Sequence, residues 1–203
     1  MNRRGLTAFA LFACFGLVAA GFALAAEEKK AGAPEGELTP EMERMMKLAQ
    51  PGEHHKHLGD AVGSWDYTLK QWADPSQPPT EMKGTAEGKW TLGGRFVETV
   101  YKGEFQGMPF EGHGLDGYDN QAQKYTGTWV DNMGTLLIVS SGSCDKGGKV
   151  RTMKSEFLDP MTGKDTKFKT VGTTLDKDHL KFEAWSSTGG PEMKVMEIQL
   201  VRR

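Results

Sequence analysis

Hydrophobic and polar residues alternate along most of the chain that follows Gly63. The alternation is clearest in residues 65–70, 180–184 and 196–200, where apolar side chains occupy every second position. A period of two is typical of strands that bury one face and expose the other. Turn-forming residues separate these stretches at short intervals, at Asp74-Pro75, Gly93-Gly94, Asp119-Asn120, Lys146-Gly147-Gly148, Asp159-Pro160 and Gly189-Gly190-Pro191. This spacing predicts about ten strands joined by short hairpins.

A closed barrel is the all-β arrangement that this pattern favours. No helical stretch separates consecutive strands, so a parallel sheet is not expected. Closing a meander removes the unpaired edges that promote aggregation. We therefore predict an all-β, antiparallel up-and-down barrel over residues 63–203. A barrel of this size leaves an interior about wide enough for side chains and one small ligand.

The first 25 residues resemble a signal peptide. Arg3 and Arg4 precede an apolar run over residues 6–24, and Ala23-Leu24-Ala25 fits a small-x-small cleavage site. The pattern predicts export to the periplasm or secretion, with an uncleaved membrane anchor as the alternative.

Two further segments precede the barrel. Residues 26–38 are rich in Ala, Gly, Pro and Glu, which predicts a disordered linker. Residues 39–62 suggest one or two short helices, with Thr39 as N-cap and Pro40 in the first turn. Three methionines share one face of the first helix and could pack on the barrel or dock a partner: Met42, Met45 and Met46.

Charge and cysteine content narrow the possible classes of protein. The net charge is −2, which argues against a nucleic-acid-binding face and against adhesion to anionic membranes. Cys14 lies in the apolar leader, so Cys144 is the one cysteine of the mature chain. No internal disulfide is expected, and stability must come from a packed core.

The known catalytic sequence motifs offer little support for an enzyme. Residues 112–117 match G-x-G-x-x-G, but a turn at residues 118–120 follows where a dinucleotide site needs a helix. The chain has no G-x-S-x-G elbow, P-loop or C-x-x-C motif. The sequence therefore supports no named reaction.

Three neighbouring histidines give a weak indication of a metal site. His54, His55 and His57 could supply imidazole ligands, but no further ligand is evident nearby. A helix end with one packed and two solvated histidines explains them better than a metal site does, so we predict no metal and no cofactor.

Several polar and aromatic residues are candidates for contact with a ligand in the barrel. His113, close to Glu111, would be the general base if the protein were a hydrolase-like or isomerase-like enzyme. Trp129 and Asp131 share strand parity, and a buried Asp beside an aromatic ring would mark a polar contact. The full candidate set is Trp65, Arg95, Glu111, His113, Tyr118, Trp129 and Asp131.

These residues lie in motifs that resemble a bacterial family catalogued as domain of unknown function 1579. The motifs run in order from about Pro51 to the C-terminus: Pro51-Gly52-Glu53-His54-His55-Lys56, Gly63-Ser64-Trp65, Gly93-Gly94-Arg95-Phe96, Pro109-Phe110-Glu111-Gly112-His113-Gly114, Gly117-Tyr118-Asp119-Asn120, Thr128-Trp129-Val130-Asp131-Asn132-Met133-Gly134-Thr135 and Asp159-Pro160-Met161-Thr162-Gly163. The resemblance implies a small barrel similar in shape to lipocalin-like and fatty-acid-binding proteins, but no activity. Gly63-Ser64-Trp65 resembles the opening G-x-W of those barrels, in which the Trp packs across the floor. The longer glycine-spaced opening of haem-binding nitrobindin-type barrels is absent, so haem is not expected.

The sequence thus favours a non-catalytic binder of a small, largely apolar molecule. The alternatives are a structural or interaction module with a filled barrel, and an enzyme that uses His113 with a nearby carboxylate.

Overall fold

A computed structural model of the chain describes residues 38–160 and 162–203. The predicted signal peptide, and the predicted linker except for Leu38, lie outside the described residues. Within the described part, no helix is both long enough and apolar enough to cross a bilayer.

Three short helical elements precede ten strands. They are α1 (Pro40–Leu48), α2 (Glu53–Lys56) and a 3-10 helix (His57–Ala61). The strands are β1 (Gly63–Gln71), β2 (Thr80–Thr91), β3 (Phe96–Phe105), β4 (Met108–Asp119), β5 (Lys124–Asp131), β6 (Ile138–Cys144), β7 (Val150–Leu158), β8 (Asp165–Thr174), β9 (His179–Ser187) and β10 (Met193–Arg202).

Each strand pairs antiparallel with the next one, and β1 pairs with β10 to close the barrel. In the closing ladder Tyr67 lies opposite Leu200, and Leu69 lies opposite Ile198. The prediction of an up-and-down antiparallel barrel with short N-terminal helices is therefore confirmed.

The alternation of apolar and polar residues divides each strand between the interior and the outer face. On β1 the apolar residues Trp65, Tyr67 and Leu69 are buried, and they pack with Ile198 and Leu200 of β10. Full burial of one such side chain contributes about 1.5–3 kcal/mol to folding. This cluster secures the ladder that closes the barrel.

One end of the barrel is closed by the helical elements. Leu58 of the 3-10 helix is 1% exposed and packs against Val97, Tyr125 and Met153. Beside it, the Trp65 indole donates a hydrogen bond to the Ala61 carbonyl at 3.1 Å. We call α2 and the 3-10 helix together, residues 53–61, the plug.

Helix α1 lies on the surface and buries none of its residues. The Thr39 side chain accepts a hydrogen bond from the Met42 backbone, so it is the N-cap that the sequence predicts. Beyond the C-terminus of α1, the Asn120 amide donates to the carbonyls of Leu48 and Gln50, both at 2.8 Å. The side chains of Met42, Met45 and Met46 are 50%, 70% and 53% exposed, so they do not pack into the core.

Two paired glycines make room for the Tyr67 hydroxyl. Gly84 lies opposite Gly103 in the β2–β3 ladder. A Cβ added at either glycine would lie within 2.7 Å of the Tyr67 oxygen, and one at Gly84 would also lie 2.1 Å from the Lys102 carbonyl oxygen. The backbone at Gly84 therefore excludes any side chain.

We predict that Gly84→Ala lowers the free energy of unfolding by about 2 kcal/mol, because the added methyl group overlaps backbone that cannot move away. Gly114→Ala is the matched control, since its Cβ would meet nothing closer than 3.6 Å. Its free energy of unfolding should change by about 0.5 kcal/mol or less. Urea unfolding of both variants measures the difference, and equal stabilities would contradict the close approach.

Candidate functional site: the barrel interior

The barrel encloses a cavity of about 510 Å³. Cavities that bind small molecules typically measure about 300–1,000 Å³. Much of the wall is apolar and comes from inward-facing residues on all ten strands, including Leu69, Phe105, Phe110, Phe168, Phe182 and Met196. The alternative expectation of a barrel filled by its own side chains is therefore wrong.

An aspartate and an arginine form a charged pair on the cavity wall. Asp116 of β4 and Arg151 of β7 approach to 3.9 Å between Oδ2 and Nη2, which is close enough for an ion pair but too long for a hydrogen bond. Their side chains are 32% and 24% exposed, and because both line the cavity, we assign this exposure to the interior.

Small residues beside Asp116 allow it to face inward. Gly127 lies opposite Asp116 on β5, and a Cβ there would lie 2.8 Å from Asp116 Oδ1 and 3.0 Å from the Ser140 hydroxyl. Among the described residues, no protein group hydrogen-bonds the side chain of either Asp116 or Arg151. The polar atoms of this pair are available to a molecule in the cavity.

Burial raises the pKa of the Asp116 carboxyl above its ordinary value of 3.8, and the Arg151 guanidinium opposes that shift. Burial is the larger effect because a carboxylate loses its hydration inside the barrel. Asp116 thus holds a proton at a higher pH than a solvated aspartate does. In that protonated form it donates a hydrogen bond, as Arg151 does.

The plug forms the end of the cavity nearest this pair. His57, Asp60 and Ala61 line the cavity. His57 Nδ1 lies 2.9 Å from the Tyr125 hydroxyl, which donates to the His54 carbonyl at 3.2 Å. Burial raises the pKa of Tyr125 to about 12, so this hydroxyl stays neutral.

The three histidines make contacts that hold the plug in place. His54 stacks on Tyr118 with ring centroids 4.4 Å apart, and His55 Nδ1 accepts a hydrogen bond from the Gly52 backbone at 3.0 Å. No set of three or more His, Cys, Asp or Glu side chains within residues 38–160 and 162–203 is placed to hold a metal ion. Tyr118 packs against the plug and does not line the cavity.

Trp129 and Asp131 lie on the cavity wall, as their shared parity suggests. The Trp129 indole donates to Asp131 Oδ2 at 2.9 Å, and Asp131 Oδ1 accepts from the Met133 backbone at 3.0 Å. Asp131 therefore both lines the interior and caps its own turn.

His113 and Glu111 lie on the outer face of the barrel. Their neighbour Gly112 faces inward, since a Cβ there would meet the Trp129 ring, so the residues on either side of it must face outward. His113 Nε2 lies 2.9 Å from Glu111 Oε1, and neither residue lines the cavity. The expectation that they contact an interior ligand is therefore wrong. His113 is not placed to act as the general base of an active site inside the barrel.

Trp65 and Arg95 are structural. The guanidinium of Arg202 lies 4.0 Å from the Trp65 ring centroid and donates to the Val62 carbonyl, so Arg202 covers the barrel floor. Arg95 donates to the carbonyls of Ala49 and Leu92 and so ties the end of α1 to the β2–β3 turn.

The sequence did not indicate the charged pair. Asp116 has the same parity as Gly112 and Gly114, so recognising that those glycines face inward would have pointed to it. Arg151 gives no such signal, because its proximity to Asp116 depends on the closed barrel.

A comparison with protein families identifies one that covers most of the chain. The sequence profile of the family described as "Protein of unknown function (DUF1579)" matches residues 50–202. This chain belongs to the DUF1579 family. No curated protein matches the DUF1579 chain.

Among solved structures, the DUF1579 chain is similar to the crystal structure of Rv2717c from M. tuberculosis. The TM-score is 0.52 at 17% sequence identity, and the match covers 76% of this chain and 99% of the other. At this identity the similarity supports the barrel fold alone.

We predict that Tyr125→Phe lowers the free energy of unfolding by about 1 kcal/mol, because it removes the hydroxyl that links His57 to the His54 carbonyl. Tyr118→Phe is the control, since the Tyr118 ring stacks in the same cluster without a side-chain hydrogen bond within the described chain. Its effect should be about 0.5 kcal/mol or less. Thermal unfolding compares the two, and a larger loss in Tyr118→Phe would refute this account of the plug.

Proposed function

We propose that this DUF1579 protein binds one small amphipathic molecule inside its barrel and does not transform it. The observation that carries the proposal is the combination of a largely apolar cavity with the Asp116–Arg151 pair, whose side-chain polar atoms have no hydrogen-bonding partner among the described residues. Such cavities bind ligands through apolar contact and use a few polar groups to fix orientation.

In this proposal the apolar part of the wall contacts the less polar part of the ligand. Phe105, Phe110 and Trp129 line the part of the cavity towards the β3–β4 and β5–β6 turns. Each methylene group that moves from water into this region contributes about 0.8 kcal/mol to binding. An alkyl or aromatic body of modest size fits this lining.

The charged pair favours a ligand that carries a hydrogen-bond acceptor at its other end. Arg151 donates through a planar fork that matches a carboxylate. The protonated Asp116 donates to the same acceptor. We therefore propose a ligand with an apolar body and a carboxylate or a comparable planar oxygen group.

We propose no catalysis because the reactive side chains of the interior are either poorly activated or hydrogen-bonded within the fold. Burial and the neighbouring Asp145 raise the pKa of the Cys144 thiol, which is the opposite of what a nucleophile requires. Asp60 accepts a hydrogen bond from Thr174, and Asp131 accepts one from Trp129. These groups have structural partners within the fold.

We predict that Arg151→Met weakens binding of a fluorescent fatty-acid analogue by about ten- to a hundredfold, the loss expected for hydrogen bonds to a charged group. Lys83→Met is the control, because Lys83 is exposed on the outer surface of β2. Equilibrium titration measures both dissociation constants. The proposal of ligand binding would be abandoned if the wild-type protein bound neither this analogue nor a neutral one of the same size.

Binding of the same analogue should depend on pH. Because the pKa of Asp116 is raised, its carboxyl is protonated at low pH and becomes a repelling anion as the pH rises through that pKa. We predict that affinity for the carboxylate probe falls as the pH rises through this raised pKa. In Asp116→Asn the side chain stays neutral, so this decrease should disappear. An unchanged pH profile in that variant would show that Asp116 does not contact the probe.

A further inference from the structure

The wall of the barrel is split between β6 and β7. These strands pair only from Ser141 opposite Lys154 to Cys144 opposite Arg151. Continued in the same register, Ser140 would lie opposite Ser155, but the ladder stops before them. β6 extends back to Ile138 and β7 forward to Leu158, each paired only with its other neighbour over this part.

The two strands are in close contact at one end of their ladder and separate within a few residues. At Gly142 a Cβ would lie 1.9 Å from the Thr152 carbonyl oxygen, so the backbones touch there. Beyond Ser141 the backbone pairing ends. Gly142 therefore marks the fixed side of the opening.

The split lies between two spaces, the interior cavity and a groove on the outer surface. On the outer surface it opens into a groove of about 550 Å³. The residues that line this groove and the interior cavity alike are Gly127, Thr128, Ser140, Ser155 and Phe168. Because the same residues border both spaces, a single layer of residues separates the cavity from the groove at the split.

Small side chains border the opening, and apolar ones are exposed beside it. The Ser140 hydroxyl donates to the Gly127 carbonyl at 3.2 Å, and Ser155 is 8% exposed. Val139 and Leu158 are 61% and 60% exposed on the strand segments that flank the split. Unpaired strand edges with exposed apolar residues are a liability that proteins usually cover, so their presence here requires a reason.

We infer that the split between β6 and β7 is a lateral portal through which the ligand enters and leaves the barrel. This inference rests on the proposed binding function. The plug closes the end of the barrel nearest Arg151, so a ligand needs another route to the charged pair. At the split the strands already lack backbone pairing, and a small further separation admits an apolar chain without breaking a continuous ladder.

The portal is tested by the kinetics of probe exchange. Ser155→Leu and Ser140→Leu narrow the opening, and stopped-flow fluorescence with the fatty-acid analogue measures association and dissociation. We expect both rate constants to fall together by about tenfold, as for a gate on the access route. Two variants are used so that one can replace the other if it fails to fold.

Two control variants separate the portal from general effects of added bulk. Thr170→Leu adds similar bulk to the cavity wall at a position that does not border the groove. It should alter affinity without slowing association and dissociation together. Met133→Trp enlarges a residue at the β5–β6 turn, at the end of the barrel opposite the plug. Met133 also lines the cavity, so this variant changes affinity, but it should not slow association and dissociation together.

The outcomes are distinct. Wild-type rates in both serine variants, or slow exchange in Met133→Trp, would place the access route at the end of the barrel and overturn the portal. Failure of the wild-type protein to bind any probe would instead overturn the proposed function, and the portal with it.

A reversible block of the portal uses Ser140→Cys together with Cys144→Ser. A bulky disulfide adduct on the new thiol should slow probe exchange, and a reductant should restore the original rates.

Discussion

Antiparallel pairing of β1 with β10 joins the first and last strands of the sheet, and the interior exists because of this contact. The ladder runs from Trp65 opposite Arg202 to Gln71 opposite Met196. Once it forms, alternate side chains of all ten strands must point into one enclosed space. The apolar cluster of β1 and β10 stabilises the ladder, and Arg202 and the plug complete the closed end. The cavity, its charged pair and the split wall all depend on this closure.

The interior combines two kinds of surface that oppose each other energetically. Most of the wall is apolar, yet Asp116 and Arg151 remain inside at an ion-pair distance without hydrogen-bonding partners from the described chain. Holding unsatisfied polar groups in such a site costs stability. A ligand acceptor that receives hydrogen bonds from both groups would offset that cost, which links the fold to the proposed binding. The same reasoning applies to the split. The unpaired edges of β6 and β7 lower stability locally, and they allow a ligand to reach the cavity.

The sequence predicts the architecture well because the period of two is strong where one face of a strand is buried. On β1 and β10 the alternation alone assigns the apolar positions to the interior, and these residues do form the core cluster. On β4 the same logic is weak, because glycines at 112, 114 and 117 carry no side chain to report direction. The sequence therefore permits an inward His113, whereas Gly112 faces inward and His113 outward. Asp116 and Arg151 lie on strands that are not neighbours, so only the closed barrel brings them together.

The most direct test of this account is a crystal structure of the protein purified from the organism that produces it. The account predicts continuous non-protein density in the interior, with one end in contact with Arg151 and Asp116, and β6 and β7 separated beyond Ser141. An interior packed solid with Phe and Trp side chains, with β6 and β7 paired along their whole length, would contradict it.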